Sequence, residues 1–192
     1  IRKEFAVPRR TRIEDGPEAV YVEEPVQIQE AVFVMDRFGY CKTMDQSVYD
    51  RNKETVDKEH VHVVECMSSD RICLFTNTGV MYQVKLGDVP AGKLRDKGVP
   101  IDNLSKFDGT KEEIRYLVNG ERLYGQTLLF ATKEAAVKQV SGAEFCTNNR
   151  MVAATKLQEA DEEAAIEPVR EETDVILQTD GGVFLRFPLE EI

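Results

Sequence analysis

Short stretches in which apolar and polar residues alternate, rich in β-branched and aromatic side chains, follow one another along most of the chain. Alternation with a period of two is typical of strands that bury one face, and the polar turns between the stretches predict antiparallel hairpins. No segment has the apolar spacing of a long amphipathic helix, so we expect an all-β protein. The strands are predicted at residues 27–35, 61–66, 72–76, 80–86, 127–132, 151–157, 175–179 and 183–187.

One segment, residues 161–170, is compatible with two structures. Its Ala and Glu content favours a helix. Pro168 and the pair Ile166 and Val169 fit a strand equally well, and the pattern leaves both open.

Four segments can be superimposed, each with an apolar strand, a polar turn and a second apolar strand; they span residues 34–42, 74–82, 130–138 and 177–185. A two-residue hairpin turn requires a positive φ, which glycine adopts without steric cost. Three of the segments have glycine at this position, and the third has Ala135, so we predict a different turn there. The turn residues are Gly39, Gly79, Ala135 and Gly182.

The four turn residues are separated by 40, 56 and 47 residues. These distances are close to the ~40–50 residues of a blade made of four antiparallel strands. An ordinary β-sandwich or barrel also contains several hairpins, and the spacing alone does not choose between the two architectures.

The chain has 192 residues and a net charge of -10, which by itself argues against a nucleic-acid partner. The acidity is local, however. Residues 14–30 contain six acidic side chains and no basic one, and residues 159–174 contain eight against Arg170 alone. The rest of the chain has a slight excess of basic residues, which permits a basic face.

No apolar run approaches the ~20 residues of a membrane span, and the N-terminus has no signal-peptide core. We therefore expect a cytoplasmic protein with no membrane partner. Because residue 1 is Ile1 and not Met, we also expect that the chain comes from a longer polypeptide.

Two clusters are candidates for metal binding, and we expect neither to bind. His60, His62 and Cys66 share a predicted strand but have no fourth ligand. The acidic run 161–163 lacks the spaced oxygen ligands and turn glycine of a calcium loop, and a solvated linker explains it better. We predict no metal, no cofactor and no catalytic residue in this chain.

Basic residues recur close to each hairpin or to the loop that leaves it, so a bladed disc would place several of them along one edge. Such an edge is suited to DNA phosphates, because the release of counterions provides affinity that is independent of sequence. Lysine and arginine are otherwise typical of a solvated surface. The candidates are Arg37, Lys42, Arg51, Lys53, Lys85, Lys93, Arg95, Lys97, Lys133, Lys138, Arg150 and Lys156.

The second hairpin and the residues after it carry a specific motif. The hairpin 74–82 is followed by Val89-Pro90, a basic loop, then residues 98–104 (Gly-Val-Pro-Ile-Asp-Asn-Leu) and residues 112–114 (Glu-Glu-Ile). This order resembles the C-terminal domain of the A-type polypeptide of bacterial type IIA topoisomerases, the DNA gyrase and topoisomerase IV family. The third and fourth hairpins resemble successive blades of that domain, so the resemblance covers nearly the whole chain.

The resemblance implies a β-pinwheel, a propeller-like disc of about four four-stranded antiparallel blades, with basic residues on its rim. It implies an acidic linker or strap at residues 1–26 that leaves the catalytic core, and a DNA-binding pinwheel at residues 27–192. The implied function is to bind and bend double-stranded DNA and to present it for ATP-dependent strand passage. The implied partners are the upstream breakage-rejoining domain of the same chain, which holds the catalytic tyrosine, and the ATPase B subunit, in a bacterial, nucleoid-associated enzyme.

One family motif is missing. Gyrase carries a box of the form Q-R-R-G-G-K-G after the first hairpin, whereas this chain has Val-Tyr-Asp-Arg-Asn-Lys-Glu-Thr at residues 48–55. The difference favours a topoisomerase IV-like protein, with a degenerate gyrase domain as the alternative, and it predicts little chiral wrapping of DNA. A different alternative is a propeller-like scaffold that binds a protein through its acidic surface.

Overall fold

The computed structural model describes residues 28–170 and 174–192. The predicted strap at residues 1–26 lies outside these described residues. Strands dominate the described part of the chain, as predicted. They are β1 (Glu30–Met35), β2 (Tyr40–Asp45), β3 (His62–Met67), β4 (Arg71–Thr76), β5 (Val80–Lys85), β6 (Val99–Pro100), β7 (Ile114–Asn119), β8 (Thr127–Thr132), β9 (Val137–Ser141), β10 (Met151–Ala153), β11 (Glu163–Pro168), β12 (Asp174–Gln178) and β13 (Phe184–Pro188).

The strands form four antiparallel sheets within the described residues. The first has the order β3-β1-β2-β6 and the second β10-β5-β4-β7. The third has the order β11-β8-β9, and the fourth is the hairpin β12-β13. The prediction of an all-β protein with four hairpin-based sheets is therefore confirmed, although two of the sheets have fewer than the expected four strands.

Neighbouring sheets exchange strands. β6 follows the second hairpin along the chain but pairs with β2 of the first sheet, where Tyr40 faces Pro100 and Cys41 faces Val99. In the same way β10 follows the third hairpin and pairs with β5 of the second sheet. Each of these two sheets is thus completed by a segment that lies beyond the next hairpin, which ties adjacent sheets together.

All four hairpins use the same kind of turn. The backbone φ is positive at all four turn residues, with values of 80°, 75°, 62° and 79° at Gly39, Gly79, Ala135 and Gly182. In each, the N–H of this residue donates to the carbonyl three positions earlier, at 2.9–3.1 Å. This is a three-residue loop that ends in a left-handed residue, not the predicted two-residue turn. The expectation of a different turn at Ala135 is also wrong, because alanine adopts the left-handed conformation here.

The expectation that long helices are absent is wrong as well. Residues Gln46–Glu59 form the helix α1, which is kinked at Asn52. Only Tyr49 and Val56 are buried in it, and they pack on the outer face of the first sheet. Two apolar anchors seven residues apart are too weak a pattern to detect in a polar segment. A second, short helix is α2 (Gly120–Tyr124), and no helix in the described residues is long and apolar enough to cross a membrane.

The sheets pack as layers with separate cores. Phe33 and Met35 of β1 face Ile72 and Leu74 of β4 in the core between the first and second sheets. The opposite face of β4, which includes Phe75, packs against the third sheet. β4 is therefore buried on both faces, which explains its continuous apolar sequence.

The ambiguous segment 161–170 is a strand. Its residues Glu163–Pro168 form β11, which pairs with β8. The acidic run that begins it is not the solvated linker that we expected. Glu163 is fully buried, and Glu162 forms an ion pair with Lys133.

Candidate nucleic-acid interface

The basic loop, defined here as residues 90–98, connects the second sheet to β6 and lies against β2. The Thr43 N–H donates to the Pro90 carbonyl at 3.0 Å, and the Gly92 N–H donates to the Thr43 carbonyl at 2.8 Å. With the pairing of β6, the loop is attached to β2 on both sides. Its position is therefore set by the first sheet, although it follows the second hairpin in sequence.

The centre of the basic loop is a tight turn that presents three cations to solvent. The Lys93 N–H donates to Asp96 Oδ2 at 2.7 Å, and the Asp96 N–H donates to the Lys93 carbonyl at 3.0 Å. The side chains of Lys93, Arg95 and Lys97 are exposed. None of the three forms an ion pair within the part of the chain that the structure describes.

The first hairpin turn lies next to the basic loop. The Lys97 ammonium is 3.9 Å from the centre of the Tyr40 ring. Arg37 is exposed at the tip of the turn, with its guanidinium 4.7 Å from the Phe38 ring centre. Asp36 Oδ1 holds the turn by accepting from the Phe38 and Tyr40 N–H groups at 2.8 and 3.0 Å. Arg37 is thus a fourth exposed cation on a turn adjoining the loop.

The helix α1 contributes two further predicted residues. Arg51 is exposed and donates through Nε to the Ser47 carbonyl at 2.8 Å. Lys53 is exposed, with its ammonium 5.7 Å from the Tyr49 ring centre. The C-terminal end of α1 and the basic loop border a groove of about 550 Å³, where Glu59 lies opposite Arg95 and Lys97. Sequence reasoning missed this helix, and with it Lys58, which is also exposed on α1.

Lys42 differs from the other predicted contacts because it does not face solvent. Only 3% of it is exposed, and its ammonium donates to the carbonyls of Lys93, Leu94 and Asp96. Burial lowers the pKa of Lys42, and the Asp96 carboxylate opposes that shift. We leave Lys42 out of the proposed contact surface.

The predicted residues of the third hairpin are occupied by other parts of the chain. The Lys133 ammonium is 2.9 Å from Glu162 Oε2. The Lys138 ammonium donates to the Ala154 carbonyl at 2.9 Å and lies 4.9 Å from the Phe130 ring centre. Burial lowers the pKa of Lys138. These two lysines are thus less available to a phosphate than the cations of the basic loop.

The remaining predicted residues lie around β5 and β10. Lys85 is exposed at the end of β5, and Lys156 is exposed after β10. Arg150 is exposed and 3.7 Å from Asp88 Oδ2. The structure gives Lys85 and Arg150 neighbouring positions, because the Arg150 carbonyl accepts from the Gln83 N–H at 3.0 Å.

The residues considered for metal binding do not form a site. His60 caps the end of α1, with Nδ1 3.0 Å from the Val56 carbonyl. The Cys66 thiol donates to the Ala31 carbonyl at 3.3 Å, and burial raises its pKa to about 11. Within residues 28–170 and 174–192, no three His, Cys, Asp or Glu side chains are placed to hold a metal ion.

Comparison with known proteins shows similarity to gyrase A, the larger polypeptide of a type IIA topoisomerase. The chain is 26% identical to the gyrase A protein of Helicobacter pylori, an alignment that covers 100% of this chain and 25% of the relative. It is 29% identical to the gyrase A protein of Streptococcus pyogenes, over 97% of this chain and 24% of the relative. The chain thus spans about a quarter of the length of these relatives. No family model matches it.

Solved structures show the same fold. The C-terminal domain of DNA topoisomerase IV superimposes with a TM-score of 0.75 and 20% identity, covering 88% of this chain and 54% of that one. The E. coli ParC C-terminal domain gives a TM-score of 0.68 and 15% identity, covering 85% of this chain and 66% of that one. The predicted resemblance is therefore confirmed: the chain is a homologue of gyrase A and has the β-pinwheel fold of the topoisomerase IV and gyrase A C-terminal domains.

Proposed function

We propose that this chain is a DNA-binding and DNA-bending accessory domain of a gyrase A-like or topoisomerase IV-like protein. In this proposal it presents a segment of double-stranded DNA to a strand-passage core made by the upstream breakage-rejoining domain and the ATPase B subunit. The similarity to gyrase A proteins and the pinwheel fold support the proposal. A cytoplasmic, nucleoid-associated location follows from the same function.

The observation that carries the proposal is the exposure of the basic loop. Lys93, Arg95 and Lys97 project from one turn, and Arg37 projects from the adjoining hairpin. Cations on a curved surface neutralise phosphates and respond to the bendability of DNA more than to base identity. We therefore expect affinity with little sequence preference and a strong dependence on salt.

Binding to linear duplexes of increasing length tests the proposal. The affinity of the 192-residue chain should rise with duplex length until the contact path is filled. The logarithm of the binding constant should fall linearly with the logarithm of salt concentration, by about 0.9 for each neutralised phosphate. Energy transfer between dyes on the two duplex ends should increase on binding if the DNA bends. Absence of binding at low salt would contradict the proposal.

Two expectations about topology accompany it. The chain alone should neither cleave nor relax supercoiled DNA, because the family nucleophile lies in the upstream domain. Ligation of nicked circles on the chain should change the linking number only slightly, because residues 46–59 form α1 where gyrase has its basic glycine-rich box. A strong positive shift would show that another segment replaces the box.

A second candidate function is a protein-binding scaffold. A groove of about 400 Å³ beside the first sheet is lined by four carboxylates, those of Glu30, Glu65, Asp70 and Glu121. Such a groove favours a Lys- or Arg-rich segment of a partner. Glu65→Gln with Glu121→Gln should weaken binding of a basic peptide while DNA binding is unchanged or tightened, which separates the two functions.

A further inference from the structure

The buried ammonium of Lys42 uses all of its hydrogen-bonding capacity on the basic loop. It donates to the carbonyls of Lys93, Leu94 and Asp96 at 3.0, 2.8 and 2.6 Å. A lysine ammonium has three N–H donors, so none is left for a phosphate. With 3% of the residue exposed, the three carbonyls surround the ammonium as they would a bound cation.

The loop is shaped for this contact by glycines on either side of its three cations. A Cβ on Gly98 would lie 2.2 Å from the Cys41 carbonyl oxygen and 3.2 Å from Lys42 Cβ. A Cβ on Gly92 would lie 3.1 Å from Lys42 Cδ. Only a chain without side chains at these points can wrap so closely around the Lys42 stem.

Turning the carbonyls inward directs the neighbouring side chains outward. The same turn that offers its carbonyls to Lys42 exposes Lys93, Arg95 and Lys97. If the ammonium were absent, three buried carbonyls would lose their donor, and the loop would have to rearrange to reach water. The outward geometry of the cations is therefore coupled to one buried side chain on another sheet.

We propose that Lys42 is a positioning residue for DNA binding: it does not touch DNA but holds the basic loop in the conformation that presents its three cations. The effect on DNA affinity rests on the proposed function, whereas the effect on the loop does not. Acidic side chains face the same groove, since Asp36, Glu59 and Asp96 line it together with Lys42. They compensate the buried charge without contacting it directly.

The test replaces Lys42 by methionine, which keeps the apolar stem and removes the donor. Hydrogen exchange of the Lys93 and Asp96 amides, both bonded inside the turn, reports the loop directly. We expect exchange about tenfold faster or more in Lys42→Met, from the loss of three hydrogen bonds to a charged donor. DNA affinity should fall about fivefold although every exposed cation is retained.

A matched control and a second variant complete the design. Lys138 occupies the same place relative to its turn residue and donates to one carbonyl, that of Ala154, so Lys138→Met should leave loop exchange unchanged. Lys42→Gln keeps an amide donor and should give intermediate exchange if the methionine variant does not fold. Lys42→Met should also cost no further affinity when Lys93, Arg95 and Lys97 are already alanine.

Two outcomes separate the inference from the function beneath it. Wild-type exchange of the loop amides in a folded Lys42→Met or Lys42→Gln chain would overturn the positioning role. Faster exchange with unchanged DNA affinity would support positioning of the loop but remove the loop from the DNA path. A further loss of affinity in the triple-alanine background would mean that Lys42 contacts DNA itself, which also overturns the inference.

Discussion

The basic loop and the third hairpin both carry basic residues that the sequence predicts as DNA contacts, but their neighbours use those residues differently. In the loop, Lys93, Arg95 and Lys97 are exposed, and Lys42 binds the backbone beneath them. In the third hairpin, Lys133 is paired with Glu162, and Lys138 is bonded to the chain. The difference shows that partners supplied by distant segments decide whether a lysine is available to a ligand.

The strongest test of this comparison removes the loop cations. Replacing Lys93, Arg95 and Lys97 together by alanine should weaken DNA binding about 10²-fold at about 0.15 M salt and flatten the salt slope by about three, since three phosphate contacts are lost. Fluorescence anisotropy over a salt series measures both quantities. The control replaces Lys106, Lys111 and Arg122, which carry the same charge but lie outside the loop, and it should have a smaller effect. Equal effects would indicate that net charge alone matters.

The acidic side of the third sheet predicts a change in stability. Glu163 is fully buried and neither carboxylate oxygen has a hydrogen bond within the described residues. Burial raises its pKa above the ordinary 4.5, and the Lys138 ammonium opposes the shift. Since the pKa is higher in the folded state than in the unfolded one, this group reduces stability as the pH rises from about 4.5 through the raised value.

Glu163→Gln should therefore stabilise the chain at neutral pH by about 1–3 kcal/mol and make little difference near about pH 4. Urea unfolding at several pH values measures the gain. Glu167→Gln, on the same strand but exposed, should show no such pH dependence. A destabilising Glu163→Gln at neutral pH would show that the ionised carboxylate is satisfied in the native protein.

Releasing Lys133 should make the third hairpin more like the basic loop. Glu162→Gln removes the ion pair and one negative charge, and we expect DNA binding to tighten about fivefold at about 0.15 M salt if the hairpin lies near the DNA. Glu159→Gln removes the same charge from an exposed residue with no such pair and should tighten binding less. If the two variants bind alike, pairing with Glu162 does not limit Lys133.

The smallest expected effect concerns the turn of the same hairpin. Ala135 has a φ of 62°, a conformation that glycine adopts without steric cost. Ala135→Gly should stabilise the chain by about 0.5–1 kcal/mol, the strain relieved less the added freedom of the unfolded chain. Gly182→Ala should cost a similar amount, because a Cβ there meets nothing within 4 Å. Thermal unfolding compares the two, and a loss of stability in Ala135→Gly would show that the alanine turn is not strained.

Much of the fold could be predicted because hairpins carry local signals. The segments around Gly39, Gly79 and Gly182 combine an apolar alternation with a glycine where φ is positive, and each forms a hairpin. The helix α1 could not be predicted, because its stability comes from two side chains that pack on the first sheet. The strand β6 is similar: its two residues are a strand only because β2 lies beside them.

The sequence by itself determined the all-β class, the four hairpins and the family resemblance, because these depend on residues close together in the chain. Only the tertiary structure decided which basic residues face solvent. Lys42 and Lys97 look alike as letters, yet one lies beneath the basic loop and the other on its surface. Burial and partnership are contacts between segments far apart in the chain, such as Lys42 and Asp96, and a pattern read along one chain contains no distance between them.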